Sequence, residues 1–342
     1  MNTTFQPEKQ NRSRFLLFLF CGSLLLLAAG MLFSLKYGQA KLGWGTLFEA
    51  IAYRGHDKLH LYIQTLRLPR TVTACIVGAQ LALAGLLTQL ATRNPLASPH
   101  IFGINAGASM AVVLGMIGTA GLGLLSSMLL AFAGAIAGAA LVWLLAGGEQ
   151  RQQYVRLALA GITVHFLLSS LTEGAMVLKQ YATEGMIFWL VGSVNRAGWH
   201  EVQTLLPFFV GGLALIAALI PMLRLLLLDD EITVGLGQRI AIVRGASLLL
   251  VIVLAGSAVA VCGPIGFVCL IVPHIARALA GPRLPALVPL TALLGAVLLV
   301  YADLLSRFVA FPFESPVGIV TAAIGAPFFI YLSRRHGGGG QR

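Results

Sequence analysis

The sequence predicts an all-α polytopic membrane protein, with about ten transmembrane helices in a compact bundle. Apolar residues make up 58% of the 342 positions and charged residues only 10%, against about 25% charged in soluble domains. The mean hydropathy is +0.89. The charged residues are separated by long charge-free runs, many of them near the ~20 residues that an apolar helix needs to cross ~30 Å of hydrocarbon. Such a composition excludes a soluble enzyme, a disordered chain and a collagen-like fibre.

The charge-free runs are 15–35, 71–92, 94–148, 157–172, 202–223, 245–276, 284–302 and 315–333. The first follows Arg12 and Arg14, and Gly38-Gln39-Ala40 resembles a small-x-small cleavage site. Its 21 residues exceed the ~7–15 of a signal core, so it reads as a retained first span. Run 94–148 is long enough for two spans, broken within the glycine-rich stretch Gly115 to Gly123. Run 157–172 reaches full length by continuing through Glu173 to Leu178. Run 245–276 is divided by the helix-breaking Gly263-Pro264-Ile265-Gly266 into one full and one short span. The total is ten.

Ten spans place both termini on one side. Lys9, Arg12 and Arg14 at one end and Arg334, Arg335 and Arg342 at the other assign that side to the cytoplasm. The chain then reads as one transmembrane domain. Residues 1–14 form a cytoplasmic N-terminus, 15–335 the ten-helix bundle and 336–342 a flexible, glycine-rich tail. Gly103-x-x-x-Gly107 and Gly134-x-x-x-Gly138 have the spacing that lets helix backbones approach closely.

The formal net charge is +11, from 23 Lys and Arg against 12 Asp and Glu. The basic residues stand singly or in pairs between apolar runs, which fits membrane orientation and headgroup contact and not nucleic acid. The four cysteines lie in apolar runs without a CxxC pair and read as small packing residues. One charge feature violates the positive-inside rule. Lys36, Lys41, Arg54, Lys58, Arg67 and Arg70 cluster on the outer side, which makes this region a candidate for function.

Other polar positions require a reason. His165 and Glu173 share the fifth span; an ionisable residue at membrane depth is a functional candidate, and a proton relay through the pair would make the chain a secondary transporter. Asn94-Pro95, Pro99 and Gly103 predict an irregular start to the third span, with Gly103 and Asn105 either packed inside the bundle or lining a pathway. The loop from Asp229 to Ile240 holds Asp230, Glu231, Gly235, Leu236, Gly237 and Arg239. Its apolar members suggest a docking surface on the cytoplasmic side. Asp303 precedes Arg307 by four, so the two can pair on one helix face. There is no phosphate-binding GxxxxGK[ST] motif, and no spacing of His, Cys or carboxylates suited to bare iron.

Several blocks carry a family resemblance. They are Leu66-Arg67-Leu68-Pro69-Arg70, Gly78-Ala79-Gln80-Leu81-Ala82-Leu83-Ala84-Gly85, Asn94-Pro95-Leu96-Ala97-Ser98-Pro99, Gly103-Ile104-Asn105-Ala106-Gly107-Ala108, Gly263-Pro264-Ile265-Gly266-Phe267, Val272-Pro273-His274, Ala302-Asp303-Leu304-Leu305-Ser306-Arg307, and Pro316 through Phe328. In order and spacing, from about Arg67 to Arg335, they resemble the FecCD family, the permease subunits of type II ABC importers for iron–siderophore, ferric citrate, haem and vitamin B12.

The resemblance implies ten helices per subunit and a second permease subunit, identical or paralogous. It implies a cytoplasmic pair of ATP-binding subunits that use ATP and Mg, and a periplasmic or lipid-anchored substrate-binding protein. No cofactor is expected on this chain, and the expected site is the bacterial inner membrane. The resemblance further implies that Arg67, Arg70 and Arg307 face acidic residues of the binding protein, and that the Gly235–Gly237 loop contacts the ATPase. The implied cargo is an iron(III) chelate, with vitamin B12 or haem as the alternative.

Overall fold

The computed structural model describes residues 6–38, 42–55, 57–118, 123–147, 153–178, 187, 189–227 and 240–337. Among the described residues the α-helices are α1 Gln6–Lys36, α2 Trp44–Ile51, α3 Lys58–Tyr62, α4 Leu68–Thr92, α5 Ile104–Gly118, α6 Leu124–Ala146, α7 Gln153–Leu178, α8 Trp199–Leu223, α9 Ile240–Cys262, α10 Val268–Ala280, α11 Leu284–Val309 and α12 Val317–Gly337. Among the described residues seven helices are long and apolar enough to cross a bilayer, and Ile104–Gly118, Val268–Ala280 and Val317–Leu332 are shorter apolar helices. These ten follow the ten spans expected from the eight charge-free runs. In run 94–148 the helix α5 is described to Gly118 and α6 from Leu124, and the break in run 245–276 falls at Gly263–Phe267.

Several helices overrun the charge-free runs, and two of them, α4 and α11, do so with charges that meet one another. A five-residue π-turn, Ile63–Arg67, joins α3 to α4, so the second apolar span extends from Lys58 to Thr92. Helix α11 continues to Val309 and carries Asp303 and Arg307 inside it. The charges do not end these helices, because they neutralise one another.

The bundle is built around α4, whose span is 89% buried. It packs on α11, α9, α10 and α8, while α5, α6 and α7 form a second group joined to it through α9. Helix α1, only 11% buried, lies outermost against α11. With no hydrophobic force between helices in lipid, close packing must hold them. Small residues allow it. A Cβ on Gly78 would collide with the Gly295 carbonyl, and one on Gly295 with that of Gly78. The two GxxxG pairs interlock: Gly107 meets the Gly134 carbonyl, and Gly138 meets that of Gly103. Polar side chains within α4 turn inward onto the backbone, as Thr88 Oγ1 donating to Ala84 O at 2.8 Å.

At the end where α1 stops, α2, α3 and the π-turn fold over the bundle around a small separate core of Leu35, Leu42, Leu47, Ala50 and Ile63.

Replacing Gly78 by Ile inserts a branched side chain into backbone contact, and overpacking costs about 1–3 kcal/mol or more. Gly78→Ile is expected to lower the thermal stability of the detergent-solubilised protein sharply. Gly22→Ile, where nothing lies within 4 Å, is expected to leave it unchanged.

Candidate functional site

The charged cluster is assembled from helix ends distant in sequence. Arg67 closes the π-turn, Arg70 opens α4, Asp303 and Arg307 sit near the end of α11, and Glu314 precedes α12. Arg70 grips the Asp303 carboxylate side-on, with Nε 3.0 Å and Nη2 2.7 Å from Oδ1. Its Nη1 bonds Glu314. Arg307 Nη2 donates to the other oxygen of Asp303 at 2.6 Å. Asp303 is thus held between two guanidiniums, and Arg70 reaches both of its oxygens, the bidentate contact that makes arginine–carboxylate pairs strong.

The same arginines cap α1. A helix C-terminus leaves its last carbonyls without intrahelical donors. Arg307 Nη1 donates to Ser34 O at 2.6 Å and Tyr37 O at 3.1 Å. Arg67 Nη1 donates to Leu35 O at 2.7 Å and Lys36 O at 2.9 Å. Four consecutive carbonyls are satisfied by two cations, which also complement the negative end of the helix dipole. Ser34 Oγ accepts from Arg307 Nη2 and contacts Thr71 Oγ1, each at 2.9 Å. Gly38 leaves room for this; a Cβ there would lie 2.8 Å from Arg67 Nη2.

The three arginines therefore differ from exposed rim charges: Arg67 and Arg307 are 3% exposed and Arg70 7%. They are nevertheless accessible from one side. A cleft of about 320 Å³ is lined by Arg67, Arg70, Arg307, Asn195 and Glu314, with Gly38, Tyr62, Leu66 and Phe313 around them. The Arg67 guanidinium stands 5.0 Å over the Tyr62 ring. By formal charge the five side chains, three arginines and two acids, sum to +1. The sequence reading paired Asp303 with Arg307 but missed the Arg70–Asp303 bond, Glu314 and the carbonyls of α1. The signal available was that two acids and three arginines fall at the same ends of neighbouring spans.

The other candidates do not join this site. Gly103, at φ 68°, links a short 3-10 turn to α5 and is closed in by Val142, Gly138 and Val164. Asn105 is buried and its Nδ2 lies 2.9 Å from His100 Nδ1. Both Gly103 and Asn105 are thus placed in packing between helices of this chain. His165 and Glu173 are exposed on α7, with His165 beside the Phe166 ring at 5.9 Å; no hydrogen bond joins the two. Asp230, Glu231, Gly235, Leu236, Gly237 and Arg239 lie outside the described residues. Among the described residues no group of three or more His, Cys, Asp or Glu is placed to hold a metal ion.

Comparison with known proteins adds to this geometry. The model of the FecCD transport family matches residues 24–335. The Fe(3+)-citrate import system permease protein YfmD of Bacillus subtilis (strain 168) is 43% identical over 96% of this chain and 97% of its own length. The Fe(3+) dicitrate transport system permease protein FecD of Escherichia coli (strain K12) is 39% identical over 90% of this chain and 95% of its own. A solved structure described as an inward-facing metal-chelate type ABC transporter superposes with a TM-score of 0.82 at 31% identity, covering 93% of this chain and 99% of that one.

Removing one partner from a buried ion pair costs about 3–5 kcal/mol, because the other charge stays desolvated. Asp303→Asn is expected to destabilise the protein by that order. Glu314→Gln is expected to cost clearly less, since Glu314 is 21% exposed and Asp303 1%. Thermal unfolding of the two variants in detergent checks the order.

Proposed function

The chain belongs to the FecCD transport family, and from that premise we propose that it is the permease subunit of an ATP-driven importer that carries an iron(III) chelate across the bacterial inner membrane. The observation that carries this reading is the match to iron-chelate permeases along almost the whole chain, with 43% identity to the ferric citrate permease protein. The permease performs no bond chemistry. A separate pair of cytoplasmic subunits binds and hydrolyses ATP with Mg, and a second permease, identical or paralogous, completes the pathway. Both termini face the cytoplasm, so the arginine cleft opens outward. The exposed face of α7, with His165 and Glu173, then turns toward the second permease or the pathway. The chelate brings its own iron ligands, so the pathway needs no metal-binding cluster.

The cleft is the docking point for the substrate-binding protein, periplasmic or lipid-anchored. A carboxylate side chain entering it meets Arg67, Arg70 and Arg307 where water is partly excluded and electrostatic contacts are stronger than at an open surface. Because Arg70 and Arg307 also hold Asp303, reversing all three charges would dismantle the bundle end and could not report on docking alone. Arg67→Gln leaves the Asp303 pairs in place. A lost charged hydrogen bond is worth about 1.5–3 kcal/mol, so binding-protein affinity for the reconstituted transporter is expected to fall about tenfold or more. An unchanged affinity would move the docking site elsewhere.

The 229–240 loop is the ATPase contact, with Leu236 at its centre. Leu236→Asp puts a charge into a desolvated interface at a cost of several kcal/mol, and co-purification with the ATPase is expected to fail. The reading as a whole is tested by uptake of radiolabelled iron(III) citrate and iron(III) hydroxamate in cells with and without this chain. Uptake by the purified chain alone under a proton gradient would overturn it.

A further inference from the structure

The π-turn before α4 has a specific cause in the sequence, and it leaves one backbone carbonyl open. Within the turn the Leu68 N–H donates to Ile63 O, five residues back. That diverts the donor which an α-helix would give to Gln64 O. The next donor, at position 69, does not exist, because Pro69 has no N–H. Gln64 O is thereby left without a main-chain partner, and the indole Nε1 of Trp199 fills the vacancy at 2.9 Å. Gln64 is tied down on a second side as well: its Nε2 donates to Ala50 O of α2 at 3.0 Å.

Trp199 is the first residue of α8. The preceding Gly198 N–H is held by Glu201 Oε2 at 2.7 Å, which fixes the start of the helix. Four residues before Trp199 lies Asn195, in the wall of the arginine cleft; three residues after Gln64 lies Arg67, in the same wall. The indole bond therefore closes a short ring of elements around the cleft. The far end of α8 leads through a 3-10 turn, Arg224–Leu227, directly to residues 228–239.

We propose that Trp199 is a positioning residue through which occupation of the arginine cleft is passed to α8 and so to the ATPase-contacting loop. The proposal rests on the docking and coupling roles proposed above. A carboxylate that draws Arg67 toward the cleft pulls on the last residue of the π-turn. A π-turn is a single-turn irregularity that can shift register locally, and such turns recur at functional sites. Its movement displaces Gln64 O, and the indole N–H carries the displacement to the first turn of α8. The coupling is a difference in the strength of one hydrogen bond between the empty and occupied states.

The test uses the assembled transporter in lipid nanodiscs with its ATPase and its binding protein. The readouts are the affinity for the binding protein and the ratio of stimulated to unstimulated ATP hydrolysis. Trp199→Phe keeps the ring and removes the N–H. It is expected to lower the stimulation ratio about two- to tenfold, the loss that one net hydrogen bond implies, while affinity stays close to wild type. Pro69→Ala restores a donor five residues beyond Gln64 that can reach Gln64 O in the π-register, so the turn no longer needs the indole. In that background Trp199→Phe is expected to have no further effect, a non-additivity that separates coupling from general stability. An unchanged stimulation ratio in Trp199→Phe, or full additivity in the double variant, overturns the proposal and leaves the docking reading intact. A wild-type complex that neither binds nor is stimulated by any loaded binding protein overturns the importer reading itself, and the proposal with it.

Discussion

The carboxylate of Asp303, fully buried between Arg70 and Arg307, is the constraint on which one end of the bundle depends. Taking an ion out of water costs several kcal/mol even after relaxation, and only good geometry with full hydrogen bonding repays it. Here one acid bridges two cations on two helices, α4 and α11, and Glu314 supplies the second negative charge. Arg307, together with Arg67, then satisfies four carbonyls at the end of α1. The outermost helix, which shares little surface with the others, is thereby fastened by polar bonds instead of apolar burial. Lipid cannot compete for those bonds, since it offers no donors.

The rest of the bundle is held differently. Along α4 the contacts are made by the absence of side chains, with Gly78 against Gly295 and Gly85 against the Cys269 carbonyl. Close backbone approach gains dispersion contacts that lipid tails would otherwise supply more loosely. The two mechanisms are segregated along the same helix. Arg70 and the π-turn occupy the end of α4 where polar groups meet, and the glycines occupy its middle. A charge placed at Gly78 or a glycine placed at Arg70 would each remove what the local surroundings require.

Much of this was legible in the sequence. Charge-free runs located the ten apolar helices found among the described residues, and Gly263-Pro264-Ile265-Gly266 marked a break that the structure places at the same residues. The two GxxxG pairs were found at the right positions, although their mutual contact was not. Where the reading stopped short, the reason is physical. Ending a span at its first charge assumes that the charge meets water, and Arg70 meets Asp303 across 233 positions. No local pattern reports such a partner. The roles of Ser34, Trp199 and Gln64 were invisible for a related reason: each acts through a main-chain carbonyl or hydroxyl freed by events elsewhere, in one case by the missing N–H of Pro69.

The near-neutrality of the cleft also limits what can dock there. A broadly basic patch would attract any anion at long range, including lipid headgroups, and would lose its pull over a Debye length of about 8–10 Å. Three guanidiniums against two carboxylates leave a single net positive charge, partly enclosed and already committed to structural bonds. Such a site draws weakly from a distance and discriminates strongly at contact. In the docking role proposed for it, it would favour one carboxylate delivered on a protein surface of matching shape over a free polyanionic ligand, whose extra charges would face Glu314 at short range. The arginines that would recognise a partner are the same ones that close the bundle, so a partner that engages them acts directly on the packing of α1, α4 and α11.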